Sequence, residues 1–297
     1  ACIFLEWDGG VFMKIGFIGA GKVGCSFAKY LQINNVQISG FFSRNAQNAK
    51  FASEFTESDC FGDFYSLIAN SDIVFITVKD SVISDVWKKI YSLDLQGKII
   101  CHCSGSLSSE VFQNATEKGC FVCSVHPMIA INNKDKAFEN FAKAFFTVEG
   151  NSSACDEIQK ILKGIGNNVK VIGQPQKKTL YHLACVFQSN LVTALIAQGT
   201  EFLIQCGFDE KEAVSATMPL ILGNIQNIYQ NGILGALTGP VERCDLLTIE
   251  KHINALGDDL KNKEIYKLLS SKLSDFAKIK NPDTCYEKLD EILEVSK

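Results

Sequence analysis

Polar side chains interrupt a strongly apolar stretch of the chain, TLYHLACVFQSN at residues 179–190. If this stretch is helical, His182 and Ser189 lie about two turns apart and share a face, which Asn190 flanks. Imidazole is the side chain best suited to exchange protons near neutral pH. We therefore consider His182 as a proton donor and Asn190 as a group that polarises a bound acceptor. In the structural alternative, a neighbouring carbonyl satisfies His182, and the other two side chains join helices across a dimer interface.

Two further candidate groups follow apolar runs that are predicted to be strands. The runs CHCSG (101–105) and SVHP (124–127) each end in small or polar residues, and ligands of open α/β sheets bind beyond the carboxyl ends of the strands. Ser104 is placed either to position a substrate or to cap a turn. His126 is the second candidate acid, and packing ahead of a proline is its structural alternative. We predict that both lie in a cleft at the edge of the sheet.

A glycine-rich stretch, GAGKVG, follows the predicted strand KIGFIG and leads into a predicted helix. Gly19 allows a tight turn, Gly21 lets the backbone approach a pyrophosphate, and Gly24 permits close contact between helix and strand. The N-terminus of the helix then offers free N–H groups to phosphates. This context predicts dinucleotide binding by Gly19, Ala20, Gly21, Lys22, Val23 and Gly24.

The second predicted strand ends in FFSRN (41–45) and indicates which dinucleotide is bound. An NAD site would offer an Asp or Glu here, whereas Ser43 and Arg44 suit a 2′-phosphate, which favours NADP(H). A solvated loop position is the alternative for Arg44. Val78, after the third strand, and Ser104 complete the predicted cofactor contacts. Asp80 is expected to cap the helix that follows.

The order of these elements predicts the fold class. Apolar strand patterns alternate with helical segments, one of them at 107–118, as in a parallel sheet wrapped by helices, and after GQPQKK every segment is helical, the first at 179–205. We predict an α/β N-terminal Rossmann-type sheet followed by an all-α C-terminal domain. The expected divisions are an N-terminal extension (1–12), a dinucleotide-binding domain (13–173) and a helical substrate and dimerisation domain (174–297). The predicted strands are 14–19, 36–42, 73–78, 98–103, 120–125, 144–150 and 169–173.

The amino-acid composition limits the classes of partner that the protein is expected to bind. The net charge of −4 and the absence of a basic run argue against nucleic acid. Polar residues interrupt the long apolar segment, so we expect no membrane span. Twelve cysteines without a recognisable leader favour reduced thiols and a cytoplasmic location. The helix around 183–197 is apolar nearly all round, which favours a homodimer through the helical domain.

Clustered cysteines raise a zinc alternative. Cys101 and Cys103 share one face of a strand, but Cys120 and Cys123 point to opposite faces, so four thiolates converge poorly. Buried free thiols are the expected state, and we predict no metal site.

Together, GAGKVG with the following Ser-Arg, HCSG, the HP dipeptide, YHLACVFQSN and LTGPVERCD resemble a family of Rossmann-type oxidoreductases whose helical half is a domain of unknown function. Its distant relatives are pyrroline-carboxylate reductases, ketopantoate reductases and hydroxyisobutyrate-type dehydrogenases. The resemblance implies a C-terminal half like that of 6-phosphogluconate dehydrogenase. It also implies a small substrate between the sheet domain and the first long helix, and dimerisation through the helices.

Two departures from the relatives bear on chemistry. Several relatives carry a lysine and an asparagine four residues apart on the long helix, whereas Lys177 and Lys178 are predicted to lie in the linker here. Cys244 replaces a glycine that is typical of the family. Next to it, Arg243 is placed to bind a substrate carboxylate or to pair with a neighbouring acid.

The resulting prediction is an NADP(H)-dependent oxidoreductase that acts on a small carbonyl or imine compound. A catalytically inactive NADP(H)-binding sensor or interaction protein is the alternative, and the missing helix lysine is its main support.

Overall fold

The computed structural model describes residues 13–294, so the predicted N-terminal extension lies outside the described residues. The chain divides into two compact units, one ending at Thr193 and the other beginning at Ala194. The sequence pattern changes from mixed to all-helical earlier, at residue 173. The compact division falls later because the first helix beyond that point is hydrogen-bonded to the sheet of the first unit.

The first unit contains one eight-stranded sheet with the order β3-β2-β1-β4-β5-β6-β7-β8. All neighbouring pairs are parallel except β6 and β7. The seven predicted strands are present, and the sequence missed only the two-residue β3. The strands are β1 (Ile15–Ile18), β2 (Ile38–Phe42), β3 (Asp59–Cys60), β4 (Ile73–Ile76), β5 (Ile99–His102), β6 (Phe121–Pro127), β7 (Phe145–Gly150) and β8 (Asn168–Val171).

Apolar side chains on both faces explain why the central strands are continuous hydrophobic runs. In β1, Phe17 stacks on Phe75 with ring centroids 5.5 Å apart, on one face of the sheet. Ile18 belongs to a second core on the opposite face, which includes Ile76 and Trp87. Helices on both sides cover these faces. The fold class predicted from sequence is confirmed for this unit.

In the described part of the first unit, from residue 13 on, the sheet is accompanied by six α-helices: α1 (Lys22–Ile33), α2 (Ala46–Thr56), α3 (Phe64–Ala69), α4 (Asp80–Ile90), α5 (Ser152–Gly164) and α6 (Lys177–Gln188). The helix predicted at 107–118 is wrong. Two short 3-10 turns, Ser109–Val111 and Ala115–Lys118, take its place. Asn114 between them has φ 60°, a left-handed conformation that an α-helix does not accommodate.

The remaining helices are α7 (Asn190–Gln205), α8 (Glu210–Ala236), α9 (Leu246–Ala255), α10 (Leu260–Lys280) and α11 (Glu287–Leu293). Aspartates begin three of them. Asp209 forms a reciprocal capping box with Glu212, while Asp245 and Asp259 accept hydrogen bonds from the first turns of α9 and α10. The all-helical nature of this part of the chain was predicted from its sequence and is confirmed.

The single long helix predicted at 179–205 is wrong, because the backbone leaves the helical conformation at Ser189 (φ −131°, ψ −74°). By length and composition alone, the segment Lys177–Gln205 is apolar enough to cross a membrane, with a mean hydropathy of 1.4. The break divides it into helices of 12 and 16 residues. Each is shorter than the roughly 20 residues that a membrane span requires.

Candidate active site

The glycine-rich turn, residues 19–24, joins β1 to α1 as predicted. Gly19 has φ +111°, and a Cβ there would lie 2.8 Å from the carbonyl oxygen of Thr77. A Cβ on Gly24 would come within 2.5 Å of the Gly19 oxygen and of the Thr77 hydroxyl. The Thr77 hydroxyl itself donates to the Gly19 carbonyl at 2.7 Å. Only glycine therefore fits at these two positions.

Gly21 differs from the other two glycines, because a Cβ there would meet no atom within 4 Å. It is also the N-cap of α1, and no side chain caps this helix end. The first N–H groups of α1, including those of Lys22 and Val23, have no intrahelical partner. An anion can therefore approach the backbone here, and the turn fits the pyrophosphate of a dinucleotide.

The end of β2 lies beside this turn, since Ile18 and Phe42 are register partners. Ser43 is half-buried and Arg44 is exposed. Among residues 13–294, the Arg44 guanidinium forms no ion pair. Val78, after β4, would touch a side chain placed on Gly19, at 3.1 Å. The predicted cofactor residues thus lie on neighbouring strand ends, with buried Ala20 inside the turn.

Ser104 follows β5, and its hydroxyl is hydrogen-bonded to neighbouring groups of the protein. Its hydroxyl donates to the Asp80 carboxylate at 2.6 Å and accepts from the N–H groups of Ser106 and Leu107. The expectation that Asp80 caps α4 is wrong, since the N-cap is Lys79 and the Asp80 carboxylate also accepts from the Ser106 hydroxyl. These bonds tie the ends of β4 and β5 together.

Two of the predicted histidines meet over the next residue, Gly105. A Cβ on Gly105 would lie 2.9 Å from Nε2 of His126 and 2.9 Å from Cδ2 of His182. His126 belongs to β6 and His182 to α6, so three distant segments converge here. Nδ1 of His126 also lies 2.6 Å from the Tyr181 phenol oxygen. The absence of a side chain on Gly105 makes room for both imidazoles.

Lys178 is the functional candidate that the sequence reasoning missed. The prediction that it lies in a linker is wrong, because α6 begins at Lys177. Lys178 is 1% exposed, and its ammonium donates to the Ser124 hydroxyl at 2.9 Å and to the Ser104 carbonyl at 3.4 Å. A proline shortly ahead of the first helical turn was the available signal. Lys178 and His182 are thus one helical turn apart, four residues as in the lysine–asparagine pair of the relatives.

We call Ser104, Gly105, His126, Lys178, Tyr181 and His182 the strand-end cluster. Burial lowers the pKa of His126 to about 4, and the positive charge of Lys178 contributes to the same shift. Burial also lowers the pKa of the Lys178 ammonium, and the nearby Glu149 carboxylate opposes this shift. Glu149 is itself buried and accepts two hydrogen bonds from Ser109. His126 is therefore a neutral imidazole near neutral pH.

His102, the last residue of β5, is a buried structural residue. Its Nδ1 accepts from the Ser104 N–H at 3.1 Å, and its Nε2 faces the Ser108 carbonyl at 3.2 Å. Burial lowers its pKa to about 4. Both ring nitrogens are used within the turn after β5, so this imidazole supports the loop that carries Gly105.

The structure does not bring Asn190 into the strand-end cluster. Asn190 is exposed, lies beyond the break at Ser189, and accepts a 3.1 Å hydrogen bond from the Ser189 hydroxyl. The Ser189 hydroxyl also donates to the Cys185 carbonyl at 2.6 Å. The shared helical face expected for His182 and Ser189 is thus interrupted, and local capping uses the serine.

Arg243 lies in the second unit, in the turn before α9. Its backbone N–H donates to the Gly239 carbonyl at 3.2 Å. Asp245 caps α9 through the Thr248 N–H. Cys244 has φ 53°, the left-handed conformation that favours glycine. The turn therefore keeps the backbone conformation for which the relatives use glycine.

The cysteines that suggested zinc are brought together only in part. Cys101 and Cys123 face each other on β5 and β6 with their sulfur atoms 3.4 Å apart. Within residues 13–294, no group of three or more His, Cys, Asp or Glu side chains is arranged to hold a metal ion. The described part of the chain gives the zinc alternative no support.

Comparison with known families agrees with this geometry. Residues 14–106 match the family described as NADP oxidoreductase coenzyme F420-dependent, and residues 144–273 match a domain of unknown function, DUF2520. The predicted family resemblance is confirmed. The oxidoreductase match covers the glycine-rich turn and Ser104, and the DUF2520 match covers Lys178, Tyr181 and His182. No functionally curated protein matches the chain.

Several solved structures share the fold. Protein TM1727 from Thermotoga maritima is 27% identical with a TM-score of 0.74, over 90% of this chain and 99% of that chain. A pyrroline-5-carboxylate reductase from Coxiella burnetii is 14% identical with a TM-score of 0.59, over 91% and 98%. A reductive aminase from Aspergillus terreus, solved with NADPH and ethyl levulinate, is 15% identical with a TM-score of 0.63, over 96% and 100%. The chain has an NADP-dependent oxidoreductase-like fold.

Proposed function

We propose that this protein is an NADP(H)-dependent oxidoreductase that transfers a hydride to or from a small carbonyl or imine compound bound at the strand-end cluster. One observation carries the proposal. The glycine-rich turn and the cluster follow the carboxyl ends of β1, β5 and β6, which belong to one sheet in which β4 lies between β1 and β5. A dinucleotide on the turn can extend along this edge towards Gly105, as ligands of open α/β sheets do.

The dinucleotide contacts follow from the geometry of the turn. N–H groups at the start of α1 would hold the pyrophosphate, and Gly21 would leave room for it. Ser43 and Arg44 supply a hydroxyl and an unpaired guanidinium for a 2′-phosphate. Val78 and Ser104 continue the same edge towards the nicotinamide. NADP is therefore the proposed cofactor.

When bound, NADPH would supply a hydride for the carbon of a C=O or C=N bond, and the heteroatom of that bond would need one proton. His182 is the proposed donor of that proton, because its ring lies against Gly105 beside His126. Ser104, Asn190 and Arg243 keep their predicted roles as proposals. His126, predicted as the second candidate acid, is a neutral imidazole near pH 7 and is proposed to contact the substrate without supplying the proton. For Ser104 the contacts favour positioning of the turn.

An inactive nucleotide sensor is the alternative, and its main support was the missing helix lysine. Lys178 lies on α6 and is buried against the strand ends. A buried ammonium needs hydrogen-bond acceptors or an opposite charge, because moving a charge from water into the protein interior costs free energy. Its retention among two histidines favours a catalytic site over a vestigial one.

The test is loss of NADPH absorbance with a panel of ketoacids and cyclic imines. With a compound that the wild type turns over, His182→Gln is expected to lower kcat by about 100-fold or more, the usual contribution of a general acid. NADPH affinity should not change. His252→Gln is the matched control, since His252 is exposed and lies on α9 of the second unit. Equal rates for both variants would exclude His182 as the donor. NADPH binding without turnover of any compound would favour the sensor.

We also propose a cytoplasmic homodimer. All eleven cysteines in residues 13–294 are free thiols, which suits a reducing compartment. Large apolar side chains of α6 and α7, such as Leu180 and Phe187, are 66% and 59% exposed. A second copy of the chain is the proposed partner for this surface. Analytical ultracentrifugation should give twice the mass of 32.7 kDa; a monomer at micromolar concentration would contradict this.

A further inference from the structure

The contact between Tyr181 and His126 is the shortest polar contact between two members of the strand-end cluster. The phenol oxygen lies 2.6 Å from Nδ1, and the rings meet edge to face with centroids 5.7 Å apart and planes at 82°. The two residues are 55 positions apart in the chain. Tyr181 is on α6, one turn after Lys177, and its ring also lies 5.2 Å from the Lys178 ammonium. The helix that positions the ammonium therefore also positions the phenol.

The second nitrogen of His126 is in a different environment. Nε2 lies beside Gly105, where a Cβ would be 2.9 Å away. Within residues 13–294, the only hydrogen bond of the His126 ring is the one from Nδ1 to Tyr181. One ring nitrogen is thus held by the protein, and the other is available at the turn where the substrate is proposed to bind.

The positions of two protons decide what Nε2 offers. Burial raises the pKa of the Tyr181 phenol, so it remains protonated. The His126 ring is neutral and carries one proton. Either the phenol donates to Nδ1 and the ring proton is on Nε2, or Nδ1 donates to the phenol and Nε2 carries a lone pair.

The surroundings of Tyr181 favour the first arrangement. In the second, the phenol proton needs another acceptor, and its next polar neighbours are Thr147 and Cys185. Neither makes a geometrically satisfactory hydrogen bond with it, and Thr147 Oγ1 is itself a buried group without a partner in residues 13–294. Thiols accept hydrogen bonds weakly. An unsatisfied buried donor is expensive, so donation to Nδ1 is the better arrangement.

We infer that Tyr181 is a positioning residue that fixes His126 as the Nε2–H tautomer, so that His126 presents a neutral N–H donor at Gly105 to the reacting heteroatom of the substrate. This inference rests on the proposed function for its substrate. A neutral N–H donor requires an acceptor with a free lone pair, which a carbonyl oxygen has and a protonated iminium nitrogen lacks. The reacting group is thus a carbonyl or an unprotonated imine, and not an iminium ion. His126 polarises it, and the proton that completes the reduction comes from another group.

The direct test does not depend on turnover. Nitrogen chemical shifts of the histidine rings, measured by NMR at pH 7 in the 15N-labelled full chain and assigned with His126→Gln, report which nitrogen is protonated. The expected result is a proton on Nε2 of His126 in the wild type. In Tyr181→Phe, a mixture of the two tautomers is expected. A proton on Nδ1 in the wild type would overturn the inference, as would an unchanged tautomer in Tyr181→Phe.

The chain offers a matched control. Tyr266 and His252 form the same contact on the surface, with 2.9 Å between the phenol oxygen and Nδ1 and rings at 89°. Tyr266→Phe should leave the His126 signals unchanged. With a carbonyl substrate, Tyr181→Phe should lower kcat about tenfold, the value of one hydrogen bond, at unchanged NADPH affinity, and Tyr266→Phe should not. A wild type that shows Nε2–H but turns over nothing would refute the proposed function and leave the tautomer assignment standing. Turnover of iminium compounds alone would overturn the substrate class.

Discussion

The glycine-rich turn and the strand-end cluster occupy neighbouring strand ends of one sheet but are built from different parts of the chain. The turn uses backbone atoms within six consecutive residues, 19–24. Its glycines lack side chains and so leave the backbone accessible to a ligand. The cluster combines the turn after β5 with side chains from β6 and α6, and its members lie up to 78 positions apart, from Ser104 to His182. Local backbone geometry therefore determines the glycine-rich turn, and long-range packing determines the strand-end cluster. Substitutions should affect them in different ways.

The largest expected effect is that of low pH on the free energy of unfolding, through the buried histidines at the ends of β5 and β6. His102 and His126 have pKa values lowered from 6.5 to about 4 in the fold, chiefly by burial. Between these pH values the unfolded chain binds more protons, so the free energy of unfolding is highest above pH 6.5 and falls towards pH 4. The expected loss is about 3 kcal/mol for each histidine, at about 1.4 kcal/mol per pH unit.

Urea unfolding at pH 7, 5.5 and 4.5 measures this loss. His126→Gln should remove about half of the pH dependence. A stability that is flat from pH 7 to 4.5 would contradict the assignment of two buried neutral imidazoles.

The glycines of the turn should separate nucleotide binding from folding. Gly21→Ala adds a methyl group to open space, so the melting temperature should stay constant while NADPH affinity falls by about 10- to 100-fold. Gly24→Ala places the methyl group 2.5 Å from the Gly19 oxygen and should also lower the free energy of unfolding by about 1–3 kcal/mol.

The control for both is Gly62→Ala, since a Cβ on Gly62 also meets nothing within 4 Å and the residue lies outside the turn. Thermal unfolding and NADPH titration of the three variants check the prediction. Full NADPH affinity in Gly21→Ala would show that the pyrophosphate binds elsewhere.

Lys178→Met tests whether the buried ammonium supports the cluster. Ser124 would lose its 2.9 Å donor, and the free energy of unfolding should fall by about 1–3 kcal/mol. Removal of this positive charge should also raise the pKa of His126, because Lys178 contributes to lowering it. The adjacent, exposed Lys177 gives the control Lys177→Met, which should leave both unchanged. Urea unfolding and an NMR titration of His126 are the measurements; equal effects of the two variants would refute a specific role for Lys178.

Arg44→Ala is expected to have the smallest effect. Loss of the guanidinium should weaken NADPH binding by about tenfold, or about 1.4 kcal/mol, and leave NADH binding unchanged. The exposed Lys50 on α2 provides the control Lys50→Ala. An equal loss for both nucleotides in Arg44→Ala would mean that Arg44 does not contact a 2′-phosphate.

The same contrast explains what could be predicted from the sequence. The turn was predictable because Gly19, Gly21 and Gly24 act within one contiguous strand–turn–helix unit. The position of His126 near the strand ends was predicted, but its meeting with His182 over Gly105 was not, because a contact between β6 and α6 has no local signal. Lys178 was misplaced because the polar stretch GQPQKK, which is typical of a linker, runs into the start of α6 at Lys177.

Helix continuity was the other source of error. The apolar pattern of 179–205 continues through Ser189, yet the Ser189 hydroxyl bonds to the Cys185 carbonyl and the backbone turns away. Serine competes with the helix backbone for hydrogen bonds. The 107–118 prediction failed in a similar way at Asn114, which takes a left-handed conformation. Single polar residues thus ended elements that the hydrophobic pattern had extended.

Titration of the wild-type protein with NADPH and, separately, with NADH tests the central claim most directly. Calorimetry at pH 7 should show one NADPH bound per chain at micromolar affinity, and NADH bound at least about tenfold more weakly, since only NADPH carries the 2′-phosphate that Ser43 and Arg44 are placed to meet. Absence of binding by either nucleotide at micromolar concentration would contradict the account.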